Sequence, residues 1–98
     1  MKDLKPKISA IRDIISKGWC KGAPAKLEGH PVKMEHPDAT HFCLVSACIK
    51  ACPNLKLRQE LYKVIKDEVG MEPITFNDKA TTKREDVLEM LDKIQEKI

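Results

Sequence analysis

Asp38-Ala39-Thr40-His41-Phe42-Cys43-Leu44-Val45-Ser46-Ala47-Cys48-Ile49-Lys50-Ala51-Cys52 is the stretch on which the architecture turns. It carries no charge from Phe42 to Ile49, and Pro53 follows it directly. A helix this poor in charge belongs at the centre of a core. The residue before a proline avoids helical angles, so Pro53 marks its end. The spacing predicts a helix from Asp38 to about Cys52, with Phe42, Val45, Ile49 and Cys52 as the inward stripe and Cys43 and Ala47 beside it.

Three more amphipathic segments surround this one. Upstream, Leu4, Ile8, Ile11 and Ile15 share one face of a helix over about Leu4–Lys17, with Ile14 alongside. Asp3 is placed to cap it, and Pro6 falls in its first turn, where a missing N–H costs nothing. Gly18 is expected to close it in the left-handed conformation, with Trp19 folding back onto Ile14. Downstream, Asn54 can cap a helix over about Leu55–Val69, in which Leu57, Leu61, Ile65 and Val69 recur every fourth residue and Gly70 ends the run. The last helix carries Val87, Leu91, Ile94 and Ile98. Thr82-Lys83-Arg84-Glu85 fits a capping box at its start, a role that accounts for Glu85.

Between these helices the chain is irregular. Gly22, Pro24, Gly29, Pro31 and Pro37 forbid a long helix over Cys20–Asp38. Residues 26–33 suggest a hairpin around Glu28-Gly29, with Pro31 confining its second arm to a sheet edge. Pro73-Ile74-Thr75-Phe76 has β-branched and aromatic character, so segment 73–77 is expected to add a strand before an Asn77-Asp78 turn. The expected fold is thus mainly α: one compact four-helix domain over residues 1–98, with a two- or three-stranded β element from segments 26–33 and 73–77.

Composition excludes several classes. The chain has 98 residues, 42% of them apolar and 34% charged, which is too apolar for disorder. No apolar run reaches the ~20 residues that span a bilayer. No apolar stretch follows Met1–Lys7, so neither a signal peptide nor a membrane partner is expected, and the expected location is cytoplasmic. In that compartment Cys20, Cys43, Cys48 and Cys52 should stay reduced, behaving as small buried apolar groups. No Gly-rich phosphate loop, HExxH, GxSxG or paired-carboxylate motif is present, and nothing requires a cofactor.

The candidate chemistry is therefore sparse. His41, Cys48 and Cys52 with Cys20 or His36 are conceivable zinc ligands, but no Cys-x-x-Cys pair supports them, and no metal is expected. Cys20, next to Lys21 in a Gly-bounded loop, is the best nucleophile candidate, since nearby positive charge lowers a thiol pKa. His30, His36 or His41 would be its base. Asn77 and Asp78 could bind a ligand, against the commoner reading of an Asx turn. Net charge is +3, and the first 26 residues hold seven Lys/Arg against two Asp. That asymmetry allows nucleic-acid contact by the first helix, without the arginine cluster or interleaved aromatics that would favour it.

An ordered set of short motifs adds a resemblance. It comprises Gly18-Trp19-Cys20-x-Gly22, Gly29-x-Pro31-Val32, Pro37-x-Ala39, Phe42-Cys43-x-x-x-Ala47, Phe76-Asn77-Asp78 and Thr82-x-x-Glu85-x-Val87-x-x-x-Leu91-Asp92. The set resembles a family of small bacterial and phage-borne domains of unknown function. Phe42 and Phe76 stand where that family tends to have Trp, and Ser46 where it tends to have Gly. The resemblance implies fold, boundaries and a phage or mobile-element context, and no activity.

The reading that follows is a non-enzymatic module engaging a protein partner through the 19–38 loop and an adjacent helix face. Trp19, Cys20, Lys21, His30, His36, Asn77 and Asp78 are its candidate contact residues. The alternatives are a small-ligand binder or enzyme using Cys20 with a His or Asn77/Asp78, and nucleic-acid binding through the basic first helix.

Overall fold

The computed structural model describes residues 4–98; the expected Asp3 cap lies outside them. Five helices and three short strands follow in the order α1 (Lys5–Lys17), β1 (Ala25–Leu27), β2 (His30–Val32), β3 (His41–Phe42), α2 (Leu44–Ala51), α3 (Leu55–Val69), α4 (Pro73–Asp78) and α5 (Arg84–Lys97).

The helical layer follows the apolar spacing closely. Leu4, Ile8, Ile11 and Ile15 of the α1 segment are buried, as are Leu61 and Ile65 of α3 and Val87, Met90, Leu91 and Ile94 of α5. α1 packs against α5 and α2, and α3 against α5 and α4. Pro6 occupies the first turn of α1. Asn54 caps α3, its side-chain oxygen accepting from Leu57 N at 2.9 Å. Gly70 closes α3 at φ 76°, a conformation open to glycine because it lacks Cβ.

The central helix is shorter and differently phased than expected. It begins after Cys43, not at Asp38, and buries Leu44, Ser46, Ala47 and Cys48 while Val45 and Ile49 stay half-exposed. A run apolar on nearly every face has more than one stripe with i, i+3, i+4 spacing, so periodicity alone cannot choose among them. Backbone pairing decides the start. Phe42 N donates to Gly18 O at 3.0 Å, Cys20 N to Phe42 O at 3.2 Å and Cys43 N to Pro24 O at 3.1 Å, so His41–Phe42 forms a strand.

The sheet has the order β2-β1-β3, antiparallel throughout. The hairpin around Glu28-Gly29 forms as expected. Both turn residues have positive φ, 51° and 83°, the geometry of a two-residue type I′ turn. Pro31 lies on β2, an edge strand, where its missing donor breaks no ladder.

Three local expectations are corrected. The third strand is His41–Phe42, and segment 73–78 is a helix instead. Pro73 starts that helix, and burial of Pro73 and Asn77, four residues apart, overrides the strand preference of Ile74, Thr75 and Phe76. Gly18 is extended, not left-handed. Its requirement is space: a Cβ there would sit 2.2 Å from Thr40 O, where the Thr40–Phe42 backbone crosses the end of α1. At α5 the cap falls one residue later than Thr82/Glu85. Lys83 N donates to the Asp86 carboxylate at 2.9 Å, because the Thr82 carbonyl is drawn to Lys21. Glu85 instead pairs loosely with Arg84 at 3.7 Å.

Candidate functional site

α4 is only six residues long, and its main consequence is to aim Asn77 inward. Asn77 is fully buried. Its carbonyl oxygen accepts from Trp19 Nε1 at 2.7 Å and from Leu44 N at 3.0 Å. Its amide nitrogen donates to Cys20 O at 3.2 Å and to Asp78 Oδ1 at 2.9 Å. A carboxamide offers two donors and two acceptor lone pairs, so Asn77 is saturated. It ties the end of α1, the start of α2 and the end of α4 at one point.

Asp78 and Lys21 extend the knot outward. Asp78 Oδ1 also accepts from Gly22 N at 3.0 Å. Lys21 Nζ donates to Lys79 O at 2.7 Å and Thr82 O at 2.6 Å. The ammonium thereby binds the carbonyl that ends α4, the negative end of a helix dipole, and lies 5.4 Å from the Trp19 ring centroid. The structure thus brings Trp19, Cys20, Lys21, Asn77 and Asp78 together. His30 stands apart, exposed on β2 opposite Leu27. His36 is also elsewhere: its Nδ1 accepts from Asp38 N at 3.1 Å in a loop turn.

The same geometry commits several of the polar groups considered for these residues. Asn77 has no valence left for a ligand, and the Asx-turn reading gives way to a helix-end clamp. The Cys20 thiol is nearly sequestered (6% exposed) and donates to Ala23 O at 3.5 Å. Desolvation first, then the neighbouring Cys43, pushes its pKa up to about 11; Lys26 acts the other way but is outweighed. Nearby positive charge therefore fails to activate it, and the thiol stays protonated at neutral pH. All four cysteines are free and buried. Among the described residues, no group of three or more His, Cys, Asp or Glu is placed to hold a metal. On α1, Arg12 is committed to Asp92 at 2.7 Å and Lys17 to Asp13 at 3.1 Å, which reduces the free cationic face of that helix.

Two concave surfaces flank the knot. One, about 370 Å³, runs between the Gly22–Pro24 and Met34 portions of the loop, Val45 and Ile49 of α2, and Ile74 of α4. The Val45 and Ile49 positions that sequence spacing placed inside line this groove instead. Ile74, read as part of a strand, is 45% exposed at its edge. The other, about 340 Å³, lies among Trp19, Lys26, Gly29 and His41. A further hollow, about 450 Å³, lies among α3, α5 and the Phe76–Thr82 segment. Three of its acids are already engaged: Glu68 with Lys97 at 2.5 Å, Glu89 with Lys93 at 3.3 Å, and Asp86 with the α5 cap.

These features make the chain a small, mainly helical protein whose three-stranded sheet is pinned to the helices by a buried asparagine. The chain belongs to a family of unknown function, DUF6197, whose model matches residues 7–97. Comparison with curated proteins gives no match, and neither does comparison with solved structures. No helix among the described residues is long and apolar enough to cross a membrane.

Proposed function

We propose that this protein is a non-enzymatic binding module that takes an apolar segment of a partner protein into the groove between the 22–34 loop, α2 and α4. One observation carries the reading. Val45, Ile49, Met34 and Ile74, from three separate elements, line one open groove. Apolar side chains of a partner seated there would leave water together with these four. Side-chain docking suits it better than strand addition, because the open sheet edge is β2, where Pro31 lacks a donor. The partner segment would present two or three apolar side chains to the groove. The mobile-element context suggested by the motif resemblance would make that partner a host protein.

A photo-crosslinking residue at Ile74 or Ile49, compared with one at the remote Lys63, tests the proposal in the source cell and its natural host. A discrete adduct at the two groove positions, lost on Val45→Glu, is expected. The same adduct pattern at all three positions, or none at any, would overturn it.

A further inference from the structure

The second concavity shares no lining residue with the apolar groove and has a different chemistry. Lys26 of β1 and His41 of β3 are direct cross-strand partners. Side chains so paired leave the same face of a sheet with Cβ atoms about 5 Å apart. Lys21 lies on the same rim with its ammonium held by the Lys79 and Thr82 carbonyls, so Lys26 and His41 are the cation-capable pair left to a hollow that has no carboxylate in its wall. Among the described residues, neither Lys26 nor His41 has an acidic partner within ion-pair distance. Neither side chain is spent on an ion pair, so an anion between them would be attracted by the Lys26 ammonium and lie beside the His41 ring.

The rest of the wall suits a ligand with a flat group attached. Trp19 forms one side, held rigidly by its Nε1 bond to Asn77. Gly29, in the left-handed conformation with open space where a Cβ would be, leaves the opposite rim low. The His41 ring is fixed through Nδ1, 2.8 Å from Thr40 Oγ1. Thr40 Oγ1 also reaches Lys26 O at 3.4 Å, so one threonine ties the two strands behind the paired cations. A volume of about 340 Å³ lies within the range of small-molecule sites, ~300–1,000 Å³.

We infer that this hollow is a binding site for a small phosphomonoester carrying a planar ring, with the phosphate between Lys26 and His41 and the ring against Trp19. Titration of the full chain with adenosine monophosphate, inorganic phosphate and adenosine, followed by Trp19 fluorescence and the amide signals of Lys26 and Gly29, tests it. The monophosphate should shift all three signals in a saturable way, and tenfold more tightly than either phosphate or adenosine alone. Lys26→Ala and His41→Ala should each weaken it tenfold or more without changing the melting temperature, while the remote Lys56→Ala leaves it unchanged. If either groove variant is unstable, the milder Lys26→Gln takes its place with the same expected loss. Equal affinity for inorganic phosphate and the monophosphate would overturn the assignment of the ring. Absence of saturable shifts at millimolar ligand, or equal weakening by Lys56→Ala, would overturn the site.

Discussion

The two halves of this molecule are held together by different physics. The helical half, α1 with α3 and α5, is joined by Leu and Ile side chains buried to within 1% exposure, together with Met90 and Val87. Such contacts are non-directional and distributed over many partners. The sheet half, from Gly18 to Cys43 with α4, buries little beyond Ala25, Cys20 and Cys43, and is fixed by directional bonds converging on Asn77. Damage should therefore be graded in the first half and abrupt in the second. The candidate surfaces also lie on the second half and its border with α2, where a rigid polar knot holds exposed loops in place.

The sharpest way to break this contrast is Asn77→Ala. It leaves the Trp19 indole N–H, the Leu44 amide and the Cys20 carbonyl without their partner. At about 1–3 kcal/mol for each unsatisfied buried group, a loss of roughly 3–5 kcal/mol is expected in urea unfolding. A cost below about 1 kcal/mol would mean the knot is dispensable. Gly18→Ala comes next. Its methyl would meet the Thr40 carbonyl at 2.2 Å, and backbone cannot give way as a side-chain tip can. Overpacking of this kind costs about 1–3 kcal/mol, and amide exchange should rise at Cys20 and Phe42, which bridge the same junction.

Alkaline pH probes the knot from another direction. The Cys20 pKa is raised from 9.0 to about 11, so the folded state holds its proton while the unfolded chain releases it. The unfolded state then binds fewer protons, and stability falls as pH rises from about 9 to 11. The shift sets an upper bound of roughly 2–3 kcal/mol for the loss. Burial pushes Cys48 and Tyr62 in the same direction. Cys20→Ala should therefore reduce the difference between unfolding curves at pH 8 and pH 10.5 without abolishing it.

In the helical half, Ile65→Val removes one buried methyl group and should cost only about 1 kcal/mol, with unchanged cooperativity by calorimetry. A loss approaching that of Asn77→Ala would erase the distinction between the halves. The smallest effect should be a gain. Glu28 is the only non-glycine with positive φ among the described residues, at 51°. Glu28→Gly relieves that conformation and should raise stability by about 0.5–1 kcal/mol, read as a small rise in melting temperature.

The sequence by itself determined α1, α3 and α5, the Glu28-Gly29 turn and the edge placement of Pro31. Each depends on residues within four positions of one another: an apolar repeat, a cap, a turn pair, a ring without a donor. Only tertiary structure decided the strand at His41–Phe42, the phase of α2, the helix at 73–78 and the saturation of Asn77. Trp19, Leu44 and Cys20 lie 33 to 58 residues from the asparagine that binds them. Trp19, Cys20, Asn77 and Asp78 were legible as a set because the motif order singles them out, but their roles were not. A hydrogen bond is specified by distance and direction in space, and for partners so far apart along the chain those quantities exist only once the helices have packed.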